Sequence, residues 1–207
     1  MAGNNFNQEF VPQNIDMQAI RSAIVSANDF AKSCRFVAII QGNSQTISNI
    51  IPKDLYLMCE AVEFPGRGFD YTEVRYSGPK QAFPNNPSYE PIGMSFLCRN
   101  DSKERAFFDD WMDIINPTDT FLFEYPENYW ATITLLQLSD IAAGGEWNYV
   151  KDPGHTPQNM LGIYGFALYF AWPMLVSPQQ VSWADQDVLR LQVSMTYKYW
   201  DRPYYQG

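Results

Sequence analysis

Leu189-Arg190-Leu191-Gln192-Val193-Ser194-Met195-Thr196-Tyr197-Lys198-Tyr199 alternates apolar and polar residues without a break. That period of two describes a strand with one face on a core and the other in water. Just upstream, Tyr164, Phe166, Leu168, Phe170 and Trp172 also fall on one face of a strand. Gly165, Ala167 and Ala171 line the other face, interrupted by Tyr169. Pro173 has no N–H to give to a ladder, so it is expected to end this second strand. Residues 177–185, with Pro178, Trp183 and Asp185, then read as the connection between the two.

Working outward, the same cues recur along the chain. Strands are predicted over 36–41, 55–64, 92–98, 121–125 and 130–138. Residues 42–52 read as a polar loop, and 142–156, with three glycines and Pro153, as a second one. Met17, Ile20, Ile24, Ala27 and Ala31 repeat at helical spacing behind Asp16, a capable N-cap. Asp101 with Glu104 three residues on resembles a capping box, and it opens a helix whose apolar stripe is Phe107, Trp111, Ile114 and Ile115. Asn116-Pro117 closes that helix. Many short strands and few helices argue for a mainly β fold, a β-sandwich or barrel with one packed helix and an extra N-terminal helix. The whole chain, 1–207, reads as one domain with an N-terminal extension over 1–25.

The stretch 66–89 differs in kind. Gly66 and Gly68 flank Arg67, Gly78-Pro79 supplies a turn, and Pro84 and Pro87 follow. Two extended arms joined by that turn hold little apolar material to bury on themselves. Such a hairpin is either disordered or finds its partner in another chain. Gly66, Arg67, Phe69, Tyr71, Tyr76 and Tyr89 are therefore the candidate subunit-interface residues. Phe107, Trp111, Trp172, Trp183, Tyr199 and Trp200 are candidate core residues; for the tryptophans, core or subunit contact is the bland use of so much area.

Composition restricts function. A hydrophobic content of 46% excludes a disordered chain. Net charge is −9, and no Lys/Arg cluster of the kind that grips phosphates is present. Three cysteines, Cys34, Cys59 and Cys98, stand far apart without zinc spacing and suit free thiols in a reducing compartment. The N-terminal residues, without a basic region or an apolar run, are not expected to be a secretory leader, and no uncharged apolar run reaches membrane-spanning length. His155 is the single histidine, set in a Gly/Pro loop without a positioned partner. Asp109-Asp110 and Glu124 with Glu127 are the acidic pairs that could form a carboxylate couple, but Asp109 and Asp110, adjacent on a helix, suit a solvated face better. No phosphate loop, dinucleotide fingerprint or metal-ligand cluster is written in the chain, so no catalytic, cofactor or metal site is assigned.

Five stretches, in order, resemble the tail tube proteins of contractile-tailed bacteriophages. They are Ser26-Ala27-Asn28-Asp29-Phe30-Ala31-Lys32 with the strand at 36–39; 56–66, ending in Phe64-Pro65-Gly66; and Ile92 to Cys98, Arg99-Asn100-Asp101 and the helical Trp111. The last two are Trp172-Pro173, and Trp183 through Tyr199-Trp200-Asp201. The resemblance implies a non-enzymatic subunit, six of which form a ring. Rings would stack into a hollow tube inside a sheath, capped by baseplate or terminator proteins, with DNA passing through the lumen without specific binding. Contractile injection systems and type VI secretion tubes share this architecture. The implied location is the virion tail, after assembly in the bacterial cytoplasm. The N-terminal extension, the length of 79–91 and the loop at 142–157 depart from the family pattern and suit a tube-initiator or terminator of the same fold. A β-sandwich binding module of the tail is the alternative from a different class.

Overall fold

The computed structural model describes residues 33–75, 77–138, 162–183 and 186–203. Among them, nine strands and three short to medium helices follow one another in chain order. The predicted helix at 17–31 and the loop at 142–157 lie outside the described residues.

The fold turns on one long strand, β7 (Gly162–Val176). Its first part pairs antiparallel with β6 (Ala131–Leu138), which in turn pairs with β1 (Phe36–Gly42). Its last part pairs with β8 (Arg190–Thr196), followed by β5 (Ile92–Leu97) and β2 (Cys59–Val62). The short β9 (Tyr199–Asp201) returns to the first part of β7. One strand thus serves two sheets that enclose a common core, the β-sandwich expected from the alternation.

The crossing itself departs from simple alternation. Phe170 takes a left-handed backbone, φ 58°, and the pairing slips between Leu168↔Ile133 and Ala171↔Ala131. The extra residue shifts the phase of the strand. Phe166 and Leu168 are buried before the slip, Ala171 and Pro173 after it, and Trp172 turns to a half-buried position. Pro173 does not end β7 as expected. It sits at a second irregularity, between Pro173↔Met195 and Leu175↔Ser194, where a missing N–H is tolerated.

Strand β8 follows its sequence pattern. Leu191, Val193 and Met195 are buried, and Arg190 and Gln192 are exposed. The alternation does not run on as one strand, because a break at Tyr197 and Lys198 separates β9 from β8, so Tyr199 is more exposed than the period implies. Across from β8, Ile92, Met94 and Phe96 of β5 supply matching apolar faces.

Residues 42–52, expected as loop, contain α1 (Gln45–Ile50). Ser44 caps it, its Oγ accepting the Ile47 N–H at 3.3 Å. Ile47 is wholly buried, with Ile50 and Ile51 packed beside the core. The helix passes so close to β1 that a Cβ on Gly42 would lie 2.6 Å from the Ser48 nitrogen. The expected strand at 55–64 starts later, since residues 55–57 form a 3-10 turn before β2.

Helix α2 (Lys103–Ile115) brings Phe107, Phe108, Trp111 and Ile115 onto the core. The Trp111 indole donates to Tyr129 O at 2.8 Å, and Phe108 meets Phe96 of β5 at 5.1 Å between ring centroids. The capping box is replaced by another device. Ser102, not Asp101, precedes the helix, at φ 50° and with no side-chain cap bond. The buried Glu104 carboxylate instead accepts from the Arg99 backbone N–H at 3.0 Å and from Arg99 Nε at 2.6 Å. Asp101 pairs with Lys103 at 2.6 Å.

Candidate subunit interface

Beyond this core stands the hairpin of β3 (Gly68–Val74) and β4 (Gln81–Ser88). The two strands pair from Gly68↔Ser88 to Val74↔Gln81, with an irregularity between Phe69 and Tyr71. Gly78, at φ 83°, makes the left-handed turn that the Gly-Pro pair predicts. Every residue of β4, and every residue of β3 except Val74, is exposed. A two-stranded hairpin with both faces in water is marginal by itself. Phe69, Tyr71 and Phe83 nevertheless project from it at 45–67% exposure. Local polar bonds hold the arms together: Lys80 meets Glu73 at 2.7 Å, and Asn85 Nδ2 reaches Thr72 Oγ1 at 3.4 Å.

The root of the hairpin is fastened. Pro65 is buried, and Gly66 O accepts from the Trp200 indole at 3.0 Å. The Arg67 guanidinium lies 5.0 Å from the Phe69 ring and 5.8 Å from the Tyr89 ring. Tyr89 meets Tyr197 edge-on at 6.2 Å, and Trp200 meets the buried Phe166 at 5.3 Å. Burial pushes the Tyr197 hydroxyl up to about 12, and its OH has no hydrogen-bond partner among the described residues. Of the six interface candidates, Gly66, Arg67 and Tyr89 therefore gather at the root, and Phe69 and Tyr71 stand on the exposed arm. Tyr76 lies outside the described residues.

A second exposed apolar segment was expected to be a strand. Residues 121–125 form no ladder. The Phe121 N–H bonds Pro117 O at 2.9 Å and the Glu124 N–H bonds Ile115 O at 3.0 Å, which folds the segment back over the end of α2. Phe121 is left at φ 52°. Phe121, Leu122, Phe123 and Tyr125 are 72–79% exposed. The segment leads into α3 (Pro126–Tyr129), where Asn128 donates to Glu124 Oε1 at 2.6 Å.

The core candidates divide. Phe107 and Trp111 are buried, Trp172 and Trp200 half-buried, and Tyr199 is 39% exposed. Trp183 corrects the core assignment, being fully exposed in the 177–189 connection, where no strand or helix of the described residues covers it.

Asp109 pairs with Arg105 at 2.8 Å on an open helix face. Burial pushes the Cys59 thiol up to about 12, which removes its thiolate character. Among the described residues, no group of three or more His, Cys, Asp or Glu could hold a metal ion. None of the described helices is long and apolar enough to cross a membrane. His155 lies outside the described residues.

The family model for phage tail tube proteins matches residues 6–202. The chain belongs to the phage tail tube protein family. Solved structures share the fold of this tail tube protein at low sequence identity. A chain of the six-fold symmetrised anti-feeding prophage baseplate aligns with a TM-score of 0.57 and 14% identity, over 84% of this chain and 95% of that one. A chain of the sheath-tube complex of an extracellular contractile injection system in its extended state aligns at 0.57 and 15%, over 87% and 95%. A chain of the anti-feeding prophage tube-terminating cap aligns at 0.55 and 14%, over 86% and 97%. No curated protein matches the tail tube protein in sequence.

Proposed function

We propose that this tail tube protein is a non-enzymatic structural component of a phage tail, assembled in the bacterial cytoplasm. Six copies form a ring, rings stack into a tube within a sheath, and DNA passes through the lumen without specific binding. The observation that carries this reading is the hairpin, a pair of strands fastened at its root whose aromatic side chains stand largely exposed. Exposed strand edges and projecting aromatics suit packing onto a neighbouring subunit. Support for the assembly comes from the folds it resembles, one in a six-fold baseplate and one in a sheath-tube complex.

A second reading is a terminator or initiator of the same tube. It is favoured by the likeness to the tube-terminating cap, whose TM-score of 0.55 falls close to the 0.57 of the sheath-tube chain. Negative-stain electron microscopy of the purified full chain separates the readings. Rings that stack into tubes support the repeating subunit, and rings that do not stack support the terminator. A persistent monomer with a ligand cleft would reject both in favour of a binding module. Replacing residues 70–87 by a short Gly-Ser turn is expected to leave a folded but unassembled subunit; tubes from that variant would remove the hairpin as connector.

A further inference from the structure

We propose that the apolar segment 121–125 is the seat for the β3–β4 hairpin of a second copy of this chain, an inference that rests on the tube reading above. Two surfaces in one subunit carry large apolar groups held out of the core by ordered backbone: Phe69, Tyr71 and Phe83 on the hairpin, and Phe121, Leu122, Phe123 and Tyr125 on the segment. Neither is loosely attached. The hairpin is bonded at Gly66 and the segment at Pro117 and Ile115. Apolar patches of this kind on a folded chain mark contact surfaces.

Charge selects the occupant. Beside the seat in the chain, Asp113 and Asp119 precede the segment, Glu124 lies in it and Glu127 follows it as an acidic surround, and the chain has no Lys or Arg from 106 to 150. A copy of a chain at −9 would be repelled by that surround over most of its surface. Many of its cations are already engaged at home, Arg99 by Glu104, Lys103 by Asp101, Arg105 by Asp109 and Arg190 by Glu60. The hairpin differs in net sign. With Arg67 at its root and Arg75 and Lys80 flanking its turn, it carries three basic residues against Asp70 and Glu73. Although Lys80 is held by Glu73 at 2.7 Å, Arg75 makes no ion pair among the described residues. It is aromatic along its arms and basic at its tip, which complements an aromatic seat with an acidic surround. Tyrosine and phenylalanine anchors of this sort concentrate binding energy in few positions.

The test uses the full chain. Phe123→p-benzoylphenylalanine protein is mixed with nitrogen-15-labelled wild type, assembled, irradiated and analysed by mass spectrometry. The expected product joins residue 123 to residues 68–88 of a labelled chain. A cross-link to another segment, to its own chain, or to a sheath protein added to the mixture overturns the proposal. Tyr125→p-benzoylphenylalanine gives the same readout where substitution at 123 hinders assembly. In parallel, Leu122→Ser with Phe123→Ser is expected to keep the wild-type circular dichroism and raise the concentration needed for tubes on the order of tenfold or more. Unchanged assembly overturns the seat. Wild-type tubes with cross-links elsewhere reject the seat alone, whereas a wild-type chain that stays monomeric rejects the tube reading with it.

Discussion

The indole Nε1 of Trp200 donates to the carbonyl oxygen of Gly66 at 3.0 Å, a bond between residues 134 positions apart. It ties the last strand to the root of the hairpin, so the exposed arms leave the core in a defined direction. Trp200→Phe keeps an aromatic ring against Phe166 and removes the donor. The expected loss in global stability is about 0.5–1.5 kcal/mol, read from the urea midpoint. Amide exchange should rise in β3 and β4 far more than in β8. Equal exchange in wild type and variant would mean that Trp200 does not hold the hairpin.

Trp111 and Trp172 test the core from two directions. Trp111 is wholly buried, touches Phe107 and Phe108, and uses its indole N–H on Tyr129 O. Trp111→Ala is expected to cost about 3–5 kcal/mol, and some of that is the Tyr129 carbonyl left without its donor. Trp172 keeps an edge contact to Tyr129 at 6.2 Å but is only half-buried after the slip at Phe170. Its truncation should cost less, about 1–3 kcal/mol. Equal costs in denaturant titration would place Trp172 as deep as Trp111.

Glu104 gives the fold a pH dependence. Burial alone pushes its carboxyl up, but the backbone N–H groups of Arg99 and of Glu104 itself, and then the Arg99 guanidinium, together hold it below the usual carboxylate range. A carboxylate whose folded pKa lies under its unfolded value contributes stability above the unfolded pKa, about 4.3 for Glu. That contribution fades as pH falls through the lower folded value. Glu104→Gln should therefore lose stability at pH 7 and show a shallower decline than wild type below about pH 4.3. The amide oxygen of Gln can still accept from Arg99, and Arg99 is partly exposed, so the loss should be smaller than for a fully buried ion pair. Parallel acid-unfolding curves would show that another carboxylate sets the slope.

Much of this arrangement is legible in residue order where one local rule acts alone. Leu191, Val193 and Met195 alternate in the sequence and in the sheet, and Gly78-Pro79 announces the hairpin turn before any partner is seen. The misreadings arise where two rules compete. Four large apolar residues within 121–125 look like a strand, yet hydrogen bonds to Pro117 and Ile115 claim their backbone first. Pro173 looks like a stop, but a strand that changes sheets has an irregular ladder with room for a missing N–H. The slip at Phe170 turns Trp172 half out of a core that period two would give it. Ser44 and Ile47 hide a helix in a stretch polar enough to pass for loop. The hairpin half of the candidate interface was readable as apolar poverty between two turns. The 121–125 half was not, because nothing in its sequence distinguishes apolar residues that are buried from apolar residues that wait for another chain.

In the proposed tube the acidity of the chain would act on the DNA that passes through it. Six copies at −9 would give the proposed ring a formal charge of −54. DNA in a tube must move without being held, and each Lys or Arg contact to phosphate would add affinity through counterion release. Carboxylates on the inner wall would repel the phosphates, with screening confining the effect to roughly 10 Å at 0.1 M salt. The competing account puts the charge on the outside, where it serves solubility. We expect an inner wall net negative and poor in lysine, and assembled tubes that retain no double-stranded DNA at physiological salt in a co-sedimentation assay. Lowering the salt should not create binding, since lower salt lengthens the repulsion instead of strengthening an attraction. DNA pelleting with tubes at physiological salt, or a basic lumen in a reconstruction of the tube, would reject the acidic wall and leave the charge to its role in solubility.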